Sequence, residues 1–286
     1  TEGEVPTYIP QLALVDPDLF AISLVTVEGA LYQVGDVDHA FTIQSMAKPF
    51  LHGLVLDVHG RDKVMKKIGV EPSGDPFNAI KLQPHSNRPY NPMVNAGAIA
   101  VVDMIPGSTI DDRVKNVQTI LEAFAGKSLD FNPQVFNSEK IHGHHNRAMA
   151  YLMLNFGILD HDVEEVLDVY FKACSFLVKT PDIARMAAVL ANGGADLVTH
   201  APLLEAKHVK DLLSVMFTCG MYDFAGEWAY TVGFPGKSGV GGGIIGIVPH
   251  KLGIAVFSPR LDKNGNSLRG IKVCQDLSRH LNLSIF

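Results

Sequence analysis

Strand signals stand at the two ends of this chain and helical signals fill the long stretch between them, so a sheet forms only by bringing the ends together. Near the start, FAISLVTVEGALYQV (20–34) holds two β-rich runs around Glu28-Gly29, which is a hairpin signal. Near the other end, GIIGIVP and LGIAVFSP flank a His-Lys pair and follow the glycine-rich GKSGVGGG (236–243). Between them the segments 113–126, 146–159, 161–177, 180–194 and 206–220 repeat apolar residues with the 3.6 period, with Gly or Pro at several boundaries. The stretch 267–283 does the same through Leu268, Ile271, Leu277 and Leu281. The expected fold class is α/β in the α+β sense: a mixed, largely antiparallel sheet from both chain ends, flanking helices and an inserted helical lobe. We expect one domain over 1–286, with a sheet-and-helix lobe from 1–44 and 225–286 and a mainly helical lobe from 45–224.

At 286 residues and 47% hydrophobic, the chain can bury a sizeable core. Its formal charge of -6 leaves no electrostatic footprint for nucleic acid, and no Lys/Arg cluster stands on any of those candidate helices. No apolar run approaches a membrane span, and TEGEVPTYIP lacks the basic and apolar parts of a signal peptide. Nucleic acid and membrane are therefore not expected partners; because the chain starts at Thr1, a removed leader stays open. Cys174, Cys219 and Cys274 are too far apart for a zinc finger and odd in number for a disulfide framework, so reduced thiols and a cytoplasmic location are expected.

The first stretch that suggests chemistry is FTIQSMAKPF (41–50). Residues i and i+3 of a helical first turn share a face, so Ser45 and Lys48 can approach each other. A lysine acts as a base only when neutral, which requires desolvation or a neighbouring cation. Pro49 cannot donate to the carbonyl of residue 45, so that turn should be tight or distorted. The alternative is an ordinary helix start, because Ser-x-x-Lys also arises by chance.

GKSGVGGG adds Lys237 as a fixed cation and glycines that admit close backbone approach. A phosphate loop would need Gly where Thr231 stands, and a nucleophile elbow would need Gly at Val240. By itself the stretch reads as a turn into a core strand. Together with an upstream Ser-x-x-Lys it follows the motif order of the serine β-lactamase and penicillin-binding fold, although no Ser-x-Asn or Tyr-x-Asn occurs in the chain. In its place stands RPYNPMVNAGAI (88–99), where Asn91 and Asn95 are a turn or helix cap if structural.

The motifs YIPQLALVDPDLF, QSMAKPF, EPSGDPFN, NPMVNAGAI, LANGG, CGMYDFAGEWAY, KSGVGGGI and LDKNGNSLRG together resemble the serine-dependent glutaminases of the β-lactamase-like superfamily, from Tyr8 to about Gly270. Gly236 departs from the Ala usual in that family before the lysine, and 194–208 looks shorter than in the animal enzymes. The resemblance implies a β-lactamase-like fold, L-glutamine as substrate, no cofactor, no metal, and a homo-oligomer, either dimer or tetramer. It assigns Ser45 as nucleophile, Lys48 as its activating partner, Tyr222 as proton relay and Lys237 as support. The substrate-contacting positions it implies are Tyr8, Gln44, Ser45, Asn95, Glu139, Asn146, Tyr170, Tyr222 and the backbone of Val240.

In such a site Glu139 meets the α-ammonium and neutral donors meet the α-carboxylate. The backbone N–H groups of Ser45 and Val240 hold the oxyanion, with the glycines beside Val240 permitting approach. The base is either Lys48, neutral because Lys237 lies nearby, or Tyr222, held as tyrosinate by both lysines. A β-lactam-directed acyltransferase or β-lactamase and a catalytically silent glutamine sensor are the alternatives. HGHHNR (142–147) reads as a polar loop rather than a metal site, Cys219 as a buried helix residue, and Trp228 as core.

Overall fold

The computed structural model describes residues 2–7 and 9–286; Tyr8, expected at the site, lies outside the described residues. Seven strands run in chain order: β1 (Ala21–Thr26), β2 (Leu31–Gly35), β3 (Phe41–Thr42), β4 (Leu177–Val178), β5 (Gly236–Ser238), β6 (Gly243–Val248) and β7 (Leu252–Phe257). The first helices are α1 (Lys48–His59), α2 (Arg61–Lys67), α3 (Asn95–Asp103), α4 (Ile110–Ala125), α5 (Pro133–His142) and α6 (His144–Asn155). They are followed by α7 (Val163–Cys174), α8 (Thr180–Ala191), α9 (Ala206–Cys219), α10 (Ala225–Thr231) and α11 (Leu268–Leu281).

The main sheet is antiparallel with order β2-β1-β7-β6-β5, so the N-terminal hairpin joins the C-terminal strands through β1 and β7. The hairpin turns at Glu28-Gly29, where Gly29 takes a positive φ of 87° that suits glycine. Strands β6 and β7 are nearly uniform apolar runs because both of their faces are covered. On one face α11 packs with Ile271 and Cys274 into a core shared with Trp228, Phe234 and Ile254. Across the other lies α8, whose backbone approaches β7 so closely that a Cβ on Gly253 would strike Ala184 and Ala188. Thus α8, read with the inserted helical segment, is the layer that joins that segment to the sheet.

The expected distortion after Ser45 is present. Gln44–Ala47 is a 3-10 turn, the Lys48 N–H donates to the Ser45 carbonyl three residues back, and Pro49 stands in the first turn of α1. A small β3–β4 pair and the bond from Ile43 N–H to Phe176 O fasten this turn to the end of α7.

Two of the helices outside the segments marked by the 3.6 period, α3 and α2, bear on the linear reading. The stretch 88–99 is a turn followed by a helix: Asn91 Oδ1 accepts from the N–H groups of Met93 and Val94, and α3 begins at Asn95. Every residue of α3 is buried, so it carries no amphipathic stripe to detect. The helix α2 does hold a basic cluster, Arg61, Lys63, Lys66 and Lys67, on a seven-residue segment too short for a periodic signal.

Candidate active site

A cavity of about 330 Å³ opens where the 44–47 turn, α5, α6, α7 and the loop after β5 converge. Gln44, Ser45, Asn95, Glu139, Asn146, Tyr170 and Val240 all line it, which brings together seven expected site residues. Lys48, Tyr222 and Lys237 are buried outside that lining, at 1%, 6% and 0% exposure.

Each wall has a local cause. Asn132 caps α5 through the N–H groups of Gln134 and Val135, with Pro133 at its first turn, and this sets the direction in which Glu139 projects. Ion pairs Lys140–Asp168 (2.6 Å) and Arg147–Glu164 (2.9 Å) fasten α5 and α6 to α7, where Tyr170 and Cys174 share a face at i, i+4. Such part-exposed pairs contribute little stability but hold orientation. At the other wall, a Cβ on Gly220 would strike the Gly236 carbonyl, so the glycine at position 220 lets the end of α9 rest on β5. Tyr222 is thereby set beside Lys237, whose Nζ lies 3.8 Å from the phenol ring centroid.

Backbone conformation marks the same place. Gln44 (φ 49°) and Tyr222 (φ 57°) are left-handed, whereas the other such non-glycine positions among the described residues are Asn or His, which tolerate it. Strain held at the residue before Ser45 and at the phenol that faces it fits a site whose geometry is imposed by its surroundings.

Lys48 Nζ donates to Asn95 Oδ1 at 2.7 Å and to Met93 O at 3.1 Å; Asn95 Nδ2 in turn donates to Asn146 Oδ1 at 3.0 Å, and the Tyr170 hydroxyl donates to Asn95 Oδ1 at 3.3 Å. No hydrogen bond joins Lys48 to Ser45, so their shared face has not become a formed pair. Burial brings the Lys48 amine down to about 7, against smaller opposing effects of Cys174 and Glu139. The cause is desolvation rather than the proximity of Lys237; the Lys48 charge instead adds to the burial that holds Lys237 well below the usual lysine range.

Of the two candidate bases, burial disfavours a Tyr222 tyrosinate. Burial pushes the Tyr222 phenol up, and its hydroxyl is sealed without a formed hydrogen bond, although Ser45 opposes the rise. Glu139 is pushed up to about 7 by burial, with the Gln44 amide and the Lys48 charge opposing. The Ser45 and Val240 N–H groups find no acceptor among the described residues. The glycines flanking Val240 are not the crowded ones: a Cβ on Gly239 or Gly241 would stay 3.3 Å or more from its neighbours, whereas Gly242 has φ 98° and would meet Pro259 at 2.6 Å.

The cavity also includes residues that the linear reading left out: Ile9, Phe77, Asn78, His142, His145 and Cys174. Phe77 lies in the quoted EPSGDPFN motif and packs on the Tyr222 ring at 5.5 Å. HGHHNR is no loop but the junction of α5 and α6, and its His142, Gly143, His145 and Asn146 line the cavity. Among the described residues no three His, Cys, Asp or Glu side chains are grouped to hold a metal. Cys174 is pushed up to about 12 by burial, and Cys219 ends α9 as a buried thiol.

An antiparallel sheet from both chain ends, with a buried Ser-x-x-Lys turn facing a Lys-Ser-Gly strand, defines a hydrolase of the β-lactamase-like class. The Glutaminase family profile matches residues 3–286, and the chain belongs to the glutaminase family. It is 55% identical over 285 residues to a glutaminase of Nostoc sp. strain PCC 7120, covering 100% of this chain and 85% of that protein. Among solved structures, a probable glutaminase YbaS superposes with TM-score 0.97 at 41% identity, covering 100% of this chain and 93% of that one. The protein Mglu in its glutamate form superposes with TM-score 0.95 at 40% identity over 99% of this chain and 66% of that one.

Proposed function

We propose that this glutaminase hydrolyses the side-chain amide of L-glutamine through a γ-glutamyl ester on Ser45. The observation that carries the assignment is that Ser45 lines an amino-acid-sized cavity while Lys48, Tyr222 and Lys237 are packed outside its lining. A neutral lysine has two N–H bonds and one lone pair. Both N–H bonds of Lys48 are engaged by Asn95 and Met93, which leaves the lone pair to accept the Ser45 proton.

Ser45 Oγ then attacks the γ-carbonyl, and the oxyanion receives the free N–H groups of Ser45 and Val240. The carbon–nitrogen bond breaks as Tyr222 passes a proton to the leaving nitrogen, and ammonia departs. Water attacks the ester in the reverse sense, giving L-glutamate and restoring Ser45. Because burial keeps Tyr222 a phenol, it serves as relay and donor while Lys48 serves as base. Denaturing mass spectrometry after a rapid quench with L-glutamine should find the glutamyl group on the peptide containing Ser45; a quench that traps it elsewhere would sink the assignment.

At the other end of the substrate, Glu139 receives the α-ammonium and Asn146 and Tyr170 meet the α-carboxylate. Glu139→Gln is expected to weaken binding by roughly 2 to 4 kcal/mol, and N-acetylglutamine, whose scissile amide is unchanged, to be a poor substrate. Both Glu139 and Lys48 must lose a proton to work, and each sits at about 7. Activity expressed as kcat/KM should therefore rise with pH through this region more steeply than one proton allows. Glu139→Gln should leave a single-proton limb, which a pH profile of both proteins checks.

A homo-oligomer and a cytoplasmic location belong to the same proposal. Exposed Tyr151, Leu154 and Phe156 near the end of α6 support the first, and three unpaired, buried cysteines support the second. No helix among the described residues is long and apolar enough to cross a membrane.

A further inference from the structure

Arg113, in the first turns of α4, is 3% exposed, and its Nη1 is sealed from solvent with no acceptor. Among the described residues its guanidinium makes no hydrogen bond, ion pair or ring contact. An arginine cannot shed its charge, and a buried charge without a partner is costly, so a native fold that keeps one calls for a counter-group. Arg113 lines a cavity of about 560 Å³ bounded by α2, the end of α3, the 106–107 turn and residues 160–161.

The carboxylates of that cavity are already engaged. Asp160 pairs with Lys67 at 2.8 Å, and Asp103 pairs with His161 at 3.0 Å while accepting the N–H groups of Asp160 and His161. His59 is held by Met104 O at 2.7 Å and by Lys63 at 3.2 Å. Arg113, Lys63 and Lys66 are left as cations without a carboxylate, in a chain whose formal charge is -6.

We infer that this cavity binds a small molecule through a multiply charged oxyanion group, phosphate or carboxylate, with Arg113 as the fixed buried donor and Lys63 and Lys66 at the rim. No residue of its lining is shared with the Ser45 cavity, so this site stands or falls independently of the proposed mechanism.

The test is thermal melting and calorimetric titration of the full chain with inorganic phosphate or citrate, at an ionic strength held constant with sodium chloride. Wild type should show a saturable rise in Tm, and Arg113→Met should lose it while melting higher than wild type in chloride alone. A response to phosphate only identifies a phosphoryl group, and a response to citrate only identifies a carboxylate. An equal rise in both proteins, or one no larger than with sodium chloride, would overturn the site. Should Arg113→Met fail to fold, the double variant Lys63→Gln/Lys66→Gln, altered at exposed positions only, must bind phosphate or citrate at least about tenfold more weakly. Unchanged affinity there would also overturn it.

Discussion

Ser45→Ala is expected to abolish ammonia release from L-glutamine while leaving glutamine binding largely intact. In the proposed mechanism the hydroxyl is required for the covalent step, whereas ground-state recognition rests on Glu139, Asn95, Asn146 and Tyr170, which line the rest of the cavity. Loss of a nucleophile costs several orders of magnitude, so a variant retaining more than about a hundredth of the wild-type rate would make Ser45 a bystander. The geometry adds a control. Ser45 sits in a 3-10 turn whose backbone bonds do not involve its hydroxyl, so the alanine variant should melt near the wild-type temperature.

Tyr222→Phe is expected to lower kcat by roughly 10² to 10⁴ with little change in KM. Its ring stays packed against Phe77 and Lys237, and only the hydroxyl proposed to pass a proton to the leaving nitrogen is lost. That hydroxyl has no hydrogen bond to forfeit, so the fold should tolerate the change. Near wild-type kcat in Tyr222→Phe would end the relay and leave Lys48 as sole proton carrier. Lys48→Ala should stop acylation in either case, because burial disfavours the tyrosinate that would otherwise take its place as base. Measuring both variants across pH separates a base from a relay: the acid limb near 7 belongs to Lys48 and Glu139, and should survive in Tyr222→Phe.

Legibility in the sequence followed the strength of local signals. The hairpin around Gly29, strands β6 and β7, and helices α4, α6, α7, α8, α9 and α11 stand where alternation or the 3.6 period placed them. Three of the helices that escaped notice lack a stripe: α3 is buried on every side, α5 buries only Val135 and Ser138, and α2 buries only Val64. The same limit applied to the cavity. Phe77, His142, His145 and Cys174 come from separate segments whose local patterns do not point to one another, so only their convergence identifies them.

What the sequence determined by itself were relations between neighbours along the chain. These include the period of each long helix, the hairpin turn, the tight turn forced by Pro49 after Ser45, and the motifs that resemble a glutaminase. Charge states were decided by tertiary structure alone. Two lysines flanking a tyrosine in space suggest a tyrosinate if all three are imagined in water. Packing instead removes water from all of them, and desolvation raises the phenol and lowers both amines, because a charge loses more hydration on burial than these neighbours return. Burial depends on atoms supplied by distant segments, α3 and the Gly220–Gly236 contact among them, and no spacing within Ser-x-x-Lys encodes it.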